Sequence, residues 1–191
     1  NHAHITTTAA EPYNHLRLSS FCYMNRIITQ LYSSPCGDLI LGSFNGRLCL
    51  CDWVSAERHR ARVNKRLSGI LNADFEDGTS SVLETAAAQL NEYFCYMRKT
   101  FSVPLLFAGT DFQKKVWQEL LAVPFGNTVS YRELAVKIGS HKAVRAVANA
   151  NGANALSIFA PCHRVIGSDN SLTGYAGGVV AKKFLLNLEK A

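Results

Sequence analysis

Cys162 and His163 put a thiol beside an imidazole in Ala160-Pro161-Cys162-His163-Arg164-Val165. The thiolate is the nucleophilic form of cysteine, and a thiol buried among apolar groups stays inert because desolvation raises its pKa. The pair therefore does chemistry only if His163 or a nearby dipole draws off the proton. Neighbouring residues point to opposite faces of a strand and do not face each other on a helix, so a bridging water is the natural relay. The preceding Leu156-Ser157-Ile158-Phe159-Ala160 is short, apolar and rich in strand formers. It predicts a buried strand that Pro161 terminates, with Cys162 at its end. Two ordinary core residues would give the same local pattern.

A third group lies at the far end of the chain. The final helix is predicted over Val180 to Glu189 with Phe184, Leu185 and Leu188 inward, and Glu189 follows Leu185 by four residues at the edge of that stripe. It is either an exposed helix end or a partly buried partner for a histidine. Between Cys162 and this helix, Gly167 to Gly178 holds four glycines and Tyr175, a loop that lets a flat ligand approach the backbone.

The elements that must position these groups follow from the patterning upstream. Strands are predicted at Tyr23 to Tyr32, Asp38 to Phe44 and Gly46 to Trp53, with a turn at Ser34-Pro35-Cys36-Gly37 and a tight hairpin at Asn45-Gly46. This makes a small antiparallel meander, in which Cys49 and Cys51 share one face as packing residues. Ser55 to Gly69 is basic and predicted helical, and Asn72 to Thr79 reads as a loop. Leu83, Ala87, Leu90 and Phe94 have helical spacing within Ser80 to Arg98. Phe101 to Phe107 bridges two domains. Thr110 and Gln113 form a capping box for a helix to Val123, with Val116, Trp117 and Leu120 inward.

Tyr131 to Ile138, a break at Gly139-Ser140, and His141 to Ala150 have the length and turn of a helix-turn-helix. On the second helix Val144, Val147 and Ala148 face inward, Arg145 faces out with Lys142 and Asn149, and Ala146 and Ala150 keep the outer face small. A small face with one protruding cation suits the DNA minor groove. An alanine-rich helix packed closely on a neighbour has the same look.

The 191 residues are enough for one ordinary domain or two small ones, and 48% hydrophobic with 18% charged residues is a globular composition. No apolar stretch approaches a membrane span, and residues 1 to 14 lack the basic start and apolar centre of a secretory signal. A protein inside the cell is expected. The net charge is +6, and Lys and Arg outnumber Asp and Glu by ten to nine over residues 1–100 but ten to five over 101–191. The excess lies in the half that holds Cys162, as a polyanion-binding surface requires. Six cysteines include no C-x-x-C and no zinc-finger spacing, so reduced thiols and no metal are expected. Residues 1 to about 20 read as a loose tail, and no function attaches to its His2-x-His4.

Pro161-Cys162-His163-Arg164-Val165, with Tyr131-Arg132-Glu133-Leu134-Ala135, Arg145-Ala146-Val147, Asn154 and Gly174-Tyr175-Ala176-Gly177-Gly178, closely resembles the O6-alkylguanine-DNA alkyltransferases. The similarity is near continuous from about Gly109 to Glu189 and looser from Tyr23 to Phe107. It implies a mixed α/β (α+β) protein in two domains. Residues 21–105 would form a small antiparallel sheet with helices, ribonuclease H-like. Residues 106–191 would form a mostly helical domain with a helix-turn-helix of winged-helix type.

By the same resemblance Cys162 is the alkyl acceptor, His163 the base acting through a water, Glu189 the carboxylate that orients it, and Asn154 a brace. Tyr131 rotates the target nucleotide and Arg145 fills the gap in the stack, with Ala143 and Ser168 also at the DNA. Tyr175, Val165, Ala176 and Lys182 belong to the guanine pocket. Ala155 and His141 depart from the pattern where proline is frequent, which bears on loop stiffness and helix start. The implied protein is a cytoplasmic monomer (nuclear in a eukaryote) without cofactor, acting once on double-stranded DNA that contains O6-alkylguanine, bound through its minor groove; O4-alkylthymine is a further candidate substrate. Two other classes stay open: a helix-turn-helix lesion sensor or regulator that does no chemistry, which Cys162 argues against, and a Cys-His-Glu hydrolase, which would need an oxyanion hole.

Overall fold

A computed structural model describes residues 25–190; the tail over residues 1–20, the His2-x-His4 pair and Cys22 lie outside the described residues. Three strands form the expected meander: β1 (Asn25–Tyr32), β2 (Leu39–Phe44) and β3 (Arg47–Trp53). Asn45 and Gly46 both have positive φ (47° and 73°), the requirement of a tight hairpin turn that matches strand twist.

The segment read as a loop after the basic helix is instead a strand. That helix is α1 (Glu57–Leu71), and β4 (Ala73–Asp77) follows it and pairs parallel to β1, giving the order β3-β2-β1-β4. Its acids hid it, since Asp is depleted in strands. At a sheet edge they are tolerated: Ala73 and Phe75 turn toward the core, while Asp74 and Glu76 reach Arg26 at 3.7 and 3.3 Å.

Cys49 and Cys51 do not share a face. The register slips between Gly42 and Ser43, so that Gly42 faces Leu50 and Ser43 faces Leu48, leaving Cys49 as the extra residue of a bulge. Leu48, Cys51 and Trp53 therefore join the main core, while Cys49 and Leu50 pack in a second cluster with Ile27, Val63 and Leu67.

Helix α2 (Ser81–Phe94) starts with Ser80 accepting from the Leu83 amide and ends four residues before Arg98. Tyr96 there takes a left-handed φ of 61° and the Met97 amide bonds Glu92 O, a C-terminal stop. Helix α3 (Asp111–Leu120) carries the expected Thr110/Gln113 capping box, and α4 (Tyr131–Lys137) has a second from Ser130 and Glu133. Each cap is worth about 1 kcal/mol. Helix α5 (Val144–Gly152) begins three residues later than expected because Ser140 to Ala143 close a turn. Ala150 is buried, not outward, with its carbonyl accepting from Trp117 Nε1 at 2.7 Å. On α6 (Gly178–Leu188), Leu185 and Leu188 face inward, but Phe184 is 37% exposed.

The stretch before Cys162 is not a strand. Leu156 makes one bridge to Cys51, through Cys51 N to Ala155 O and Ser157 N to Cys51 O, and Ile158 then turns left-handed at φ 71°. Residues 154–160 are all buried, so their apolar run has no period that could separate a strand from a buried turn. Two-residue strands β5 (Val129–Ser130) and β6 (Val165–Ile166) pair in parallel and tie the start of α4 to the segment after Cys162. One buried cluster draws on both halves, with Leu41, Trp53 and Leu90 packed together with Val116, Phe159 and Leu185.

Candidate active site

Cys162 opens a single 3-10 turn, Cys162–Arg164, rather than ending a strand. It is 5% exposed, and burial pushes its thiol up to about 11, against the opposing pull of the Asn154 amide and the Lys182 charge. Asn154 is itself buried and crosses the bend beneath the cysteine. Its Nδ2 donates to Ala160 O at 2.9 Å and its Oδ1 accepts from Leu156 N at 3.0 Å.

His163 is completely buried and its Nε2 lies 2.7 Å from Glu189 Oε1. A carboxylate only accepts, so Nε2 carries the proton and Nδ1 of the neutral ring presents a lone pair. Nδ1 has no hydrogen-bond partner among the described residues. Burial, helped by the charges of Arg164 and Lys182, lowers the His163 pKa below its usual value, so the ring is neutral at pH 7.

Glu189 is buried, which settles the choice that the helix pattern left open. Burial alone would raise its pKa, but hydrogen bonds from His163 and then Arg164 bring it down to about 2. Arg164 grips both carboxylate oxygens, Nε to Oε2 at 2.8 Å and Nη2 to Oε1 at 3.0 Å, and Tyr93 Oη donates to Oε1 at 2.7 Å. The Gly126 amide adds a bond to Oε2 at 3.2 Å. A buried carboxylate is tolerable only with such pairing, and here the His163 N–H and the permanent cation of Arg164 hold its charge together.

An open cleft of about 520 Å³ is lined by Tyr131, Tyr175 and Ala176, by Ala148 and Asn149 of α5, and by His59 of α1. Cys162 does not itself line the cleft, and burial raises the pKa of both the Tyr131 and Tyr175 phenols. Tyr131 Oη lies 3.5 Å from Thr173 O, and Tyr175 packs edge-on against Trp53 with centroids 5.7 Å apart. The glycine-rich loop owes part of its composition to this packing. A Cβ on Gly177 would stand 2.5 Å from the Trp53 ring, so glycine is needed there for protein contact.

Other residues singled out from the sequence take separate places. Lys182 is buried under the loop, where Nζ donates to Val165 O at 2.6 Å and Thr173 O at 3.0 Å, and Val165 is buried in β6. Neither touches the cleft. Ser168 is exposed and belongs to another concavity, beside Ser130 and Arg132. Arg145 is exposed in the first turn of α5, and Ala143 is half-buried at its cap.

Three partners were not foreseen. Tyr93 comes from α2, where its helical spacing marks only a core face. Arg164 stood in the quoted motif without a role. His59 pairs with the buried Asp52 at 3.0 Å and with Gly152 O at 2.8 Å, joining residues 7 and 93 apart in sequence. No local signal could have found Tyr93 or His59. Among the described residues no three His, Cys, Asp or Glu side chains converge as a metal site would require.

Known proteins resemble this chain over most of its length. Residues 111–191 match the family described as 6-O-methylguanine DNA methyltransferase, DNA binding domain. The chain is 56% identical over 163 residues to the constitutive methylated-DNA–protein-cysteine methyltransferase of Bacillus subtilis, covering 82% of this chain and 92% of that one. It is 41% identical over 160 residues to the namesake protein of Methanosarcina barkeri, covering 84% and 95%. The crystal structure of Mycobacterium tuberculosis O6-methylguanine methyltransferase superposes with a TM-score of 0.71 at 39% identity, over 87% of this chain and 93% of that one. Mycobacterium tuberculosis OGT in complex with DNA gives 0.70 at 39% identity, over 86% and 92%. With this identity and coverage across both halves, the chain belongs to the methylated-DNA–protein-cysteine methyltransferase family.

Proposed function

We propose that this chain repairs double-stranded DNA by moving the alkyl group of O6-alkylguanine onto the sulfur of Cys162. The observation that carries the assignment of roles is the buried relay. Glu189, gripped by Arg164, holds the His163 Nε2–H and leaves Nδ1 free to accept a proton beside a thiol that burial keeps protonated.

His163 Nδ1 takes the thiol proton through a water, and the imidazolium formed is stabilised by Glu189. The thiolate attacks the alkyl carbon from behind: the S–C bond forms, the C–O6 bond breaks, and its electron pair leaves on the guanine. Guanine then takes up one proton, so the sum is thiol plus alkylguanine giving thioether plus guanine. Tyr131, which lines the cleft, is read as the donor of that proton, regaining it from the His163 imidazolium through solvent, and as the group that crowds the nucleotide. Displacement at saturated carbon requires a soft, aligned nucleophile and a stabilised leaving group, and Asn154 holds the bend that aims the sulfur. A thioether is not a leaving group, so each molecule acts once.

The alkylated oxygen is inside the duplex, so the nucleotide must be extruded, at roughly a few kcal/mol of lost stacking. Arg145 protrudes from the small-faced α5 where it can fill the gap, and that face fits the minor groove. The chain is taken to act as a monomer. Incubation with duplex DNA containing O6-methylguanine should add one methyl group per protein, located on Cys162 by intact-mass and peptide spectrometry. A Cys162→Ala protein should bind the DNA and stay unmodified. Methylation at another residue, or turnover of an acyl substrate in place of transfer, would reject this assignment.

A further inference from the structure

The charge of the N-terminal half is close to balanced by count, yet it is sorted in space. β4 holds Asp74, Glu76 and Asp77, while α1 carries Arg58, Arg60, Arg62, Lys65 and Arg66 against the single acid Glu57. Two of those cations are used inside the fold. Arg60 Nη1 donates to Trp53 O at 3.1 Å, and Arg66 donates to Ala108 O and Ala153 O at 3.0 and 2.8 Å. Arg58, Arg62 and Lys65 remain exposed, and none makes a salt bridge among the described residues. Their spacing of four and three residues sets them in one stripe along the helix.

The neighbouring face of α1, which carries His59 and Arg66, is held against α5, and Arg62 of the stripe borders the contact. His59 reaches Gly152 O and Arg66 reaches Ala153 O, so α1 grips the C-terminal end of α5 through two hydrogen bonds. A groove of about 410 Å³ runs between the helices, with Arg62 and Val63 on one wall and Ala148 and Asn149 on the other. Arg145, Asn149 and Gly152 form the exposed stripe of α5 at the same spacing. Two helices thus offer adjacent stripes at one side of the cleft, one small and polar, one cationic.

We infer that α1 is a second DNA-contacting element, in which Arg58, Arg62 and Lys65 bind backbone phosphates of the duplex whose minor groove lies on α5. This rests on the reading of α5 as the DNA-facing helix. Long cations on a helix beside a groove neutralise phosphates without reading bases, so they add affinity and register but no sequence preference.

The test is the salt dependence of binding to a short undamaged duplex, followed by fluorescence anisotropy. Neutralising one phosphate-binding cation lowers the slope of log K against log salt by about 0.9 and weakens binding at low salt roughly tenfold. Arg62→Gln should show this, and Arg58→Gln/Arg62→Gln/Lys65→Gln should show two to three times the slope change. Arg47→Gln, an equal charge change on an exposed residue of β3, should alter the slope far less. The three side chains are exposed, so thermal unfolding and the rate of reaction with free O6-benzylguanine should match the parent protein. A triple variant with the parent's slope and affinity, or an Arg47→Gln effect equal to that of Arg62→Gln, overturns the role of α1 and leaves the repair function standing. Failure of the parent protein to bind duplex DNA at all would instead sink the reading of α5.

Discussion

Tyr93 Oη and His163 Nε2 meet on the same oxygen of Glu189, each at 2.7 Å, although Tyr93 belongs to α2 and His163 follows it 70 residues later, beside the nucleophile. A residue of the N-terminal half therefore completes the set of donors around this carboxylate. Tyr93→Phe removes one donor from a buried carboxylate without changing ring packing against Phe101 and Phe125. A hydrogen bond to a charged group is worth about 1.5–3 kcal/mol, so the variant should lose about that much stability and slow methyl transfer several-fold. Chemical denaturation and single-turnover kinetics measure the two effects. An unchanged transfer rate would remove Tyr93 from the relay.

The thiol and its base titrate in opposite directions. Burial lifts Cys162 to about 11 and lowers His163 below its usual value, so the neutral base is available through the whole physiological range. The transfer rate should then be level from about pH 7 to 9 and fall only as acid protonates His163, at a pH lower than for an ordinary histidine. In His163→Gln the thiolate can form only by direct ionisation. Its rate should be lower at pH 7 and rise about tenfold per pH unit toward 11. Stopped-flow profiles of both proteins decide the matter, and a flat profile in the variant would show that another group takes the proton.

The parts of the fold written in short-range chemistry could be read directly. The capping box at Thr110 and Gln113, the Asn45-Gly46 hairpin and the break at Gly139-Ser140 each depend on a few adjacent residues, and each stands where the pattern puts it. The Cys162–His163–Glu189 line came from resemblance; spacing alone left Glu189 either buried or exposed. What escaped was decided at a distance. β4 is defined by its parallel pairing with β1, residues 155–160 turn after a single bridge to β3, and Cys49 changes face at a bulge opposite Gly42 and Ser43. The cations of α1 are plain in the basic run Ser55 to Gly69, and only the count by halves hides them.

Arg145 stands in the first turn of α5, exposed, with Ala146 and Asn149 exposed beside it. If it fills the space of the extruded base, its loss matters only when there is a stack to break. Arg145→Ala should slow transfer from O6-methylguanine in duplex DNA by at least about tenfold, while reaction with free O6-benzylguanine stays within about twofold. Parallel rate measurements on the two substrates separate the roles. Equal losses would place Arg145 in folding or in the pocket and not in extrusion.

Glu189 links the site to acid stability. Its pKa is held at about 2 in the folded protein against an ordinary 4.5, so its charged form is favoured by folding. A depressed carboxylate contributes its full stabilisation above about pH 4.5 and loses it as pH falls through the window down to about 2. The difference of about 2.5 pH units corresponds to about 3 kcal/mol. Glu189→Gln keeps the shape but cannot hold the charge, and leaves Arg164 buried without its partner, so it should be less stable than the parent at neutral pH. The gap between the two proteins should then shrink as pH drops from 4.5 toward 2, because only the parent gives up this ion pair. Urea unfolding of both across that range measures the gap directly. A gap that stays constant with pH would mean that Glu189 is not the titrating group that Arg164 and His163 hold in place.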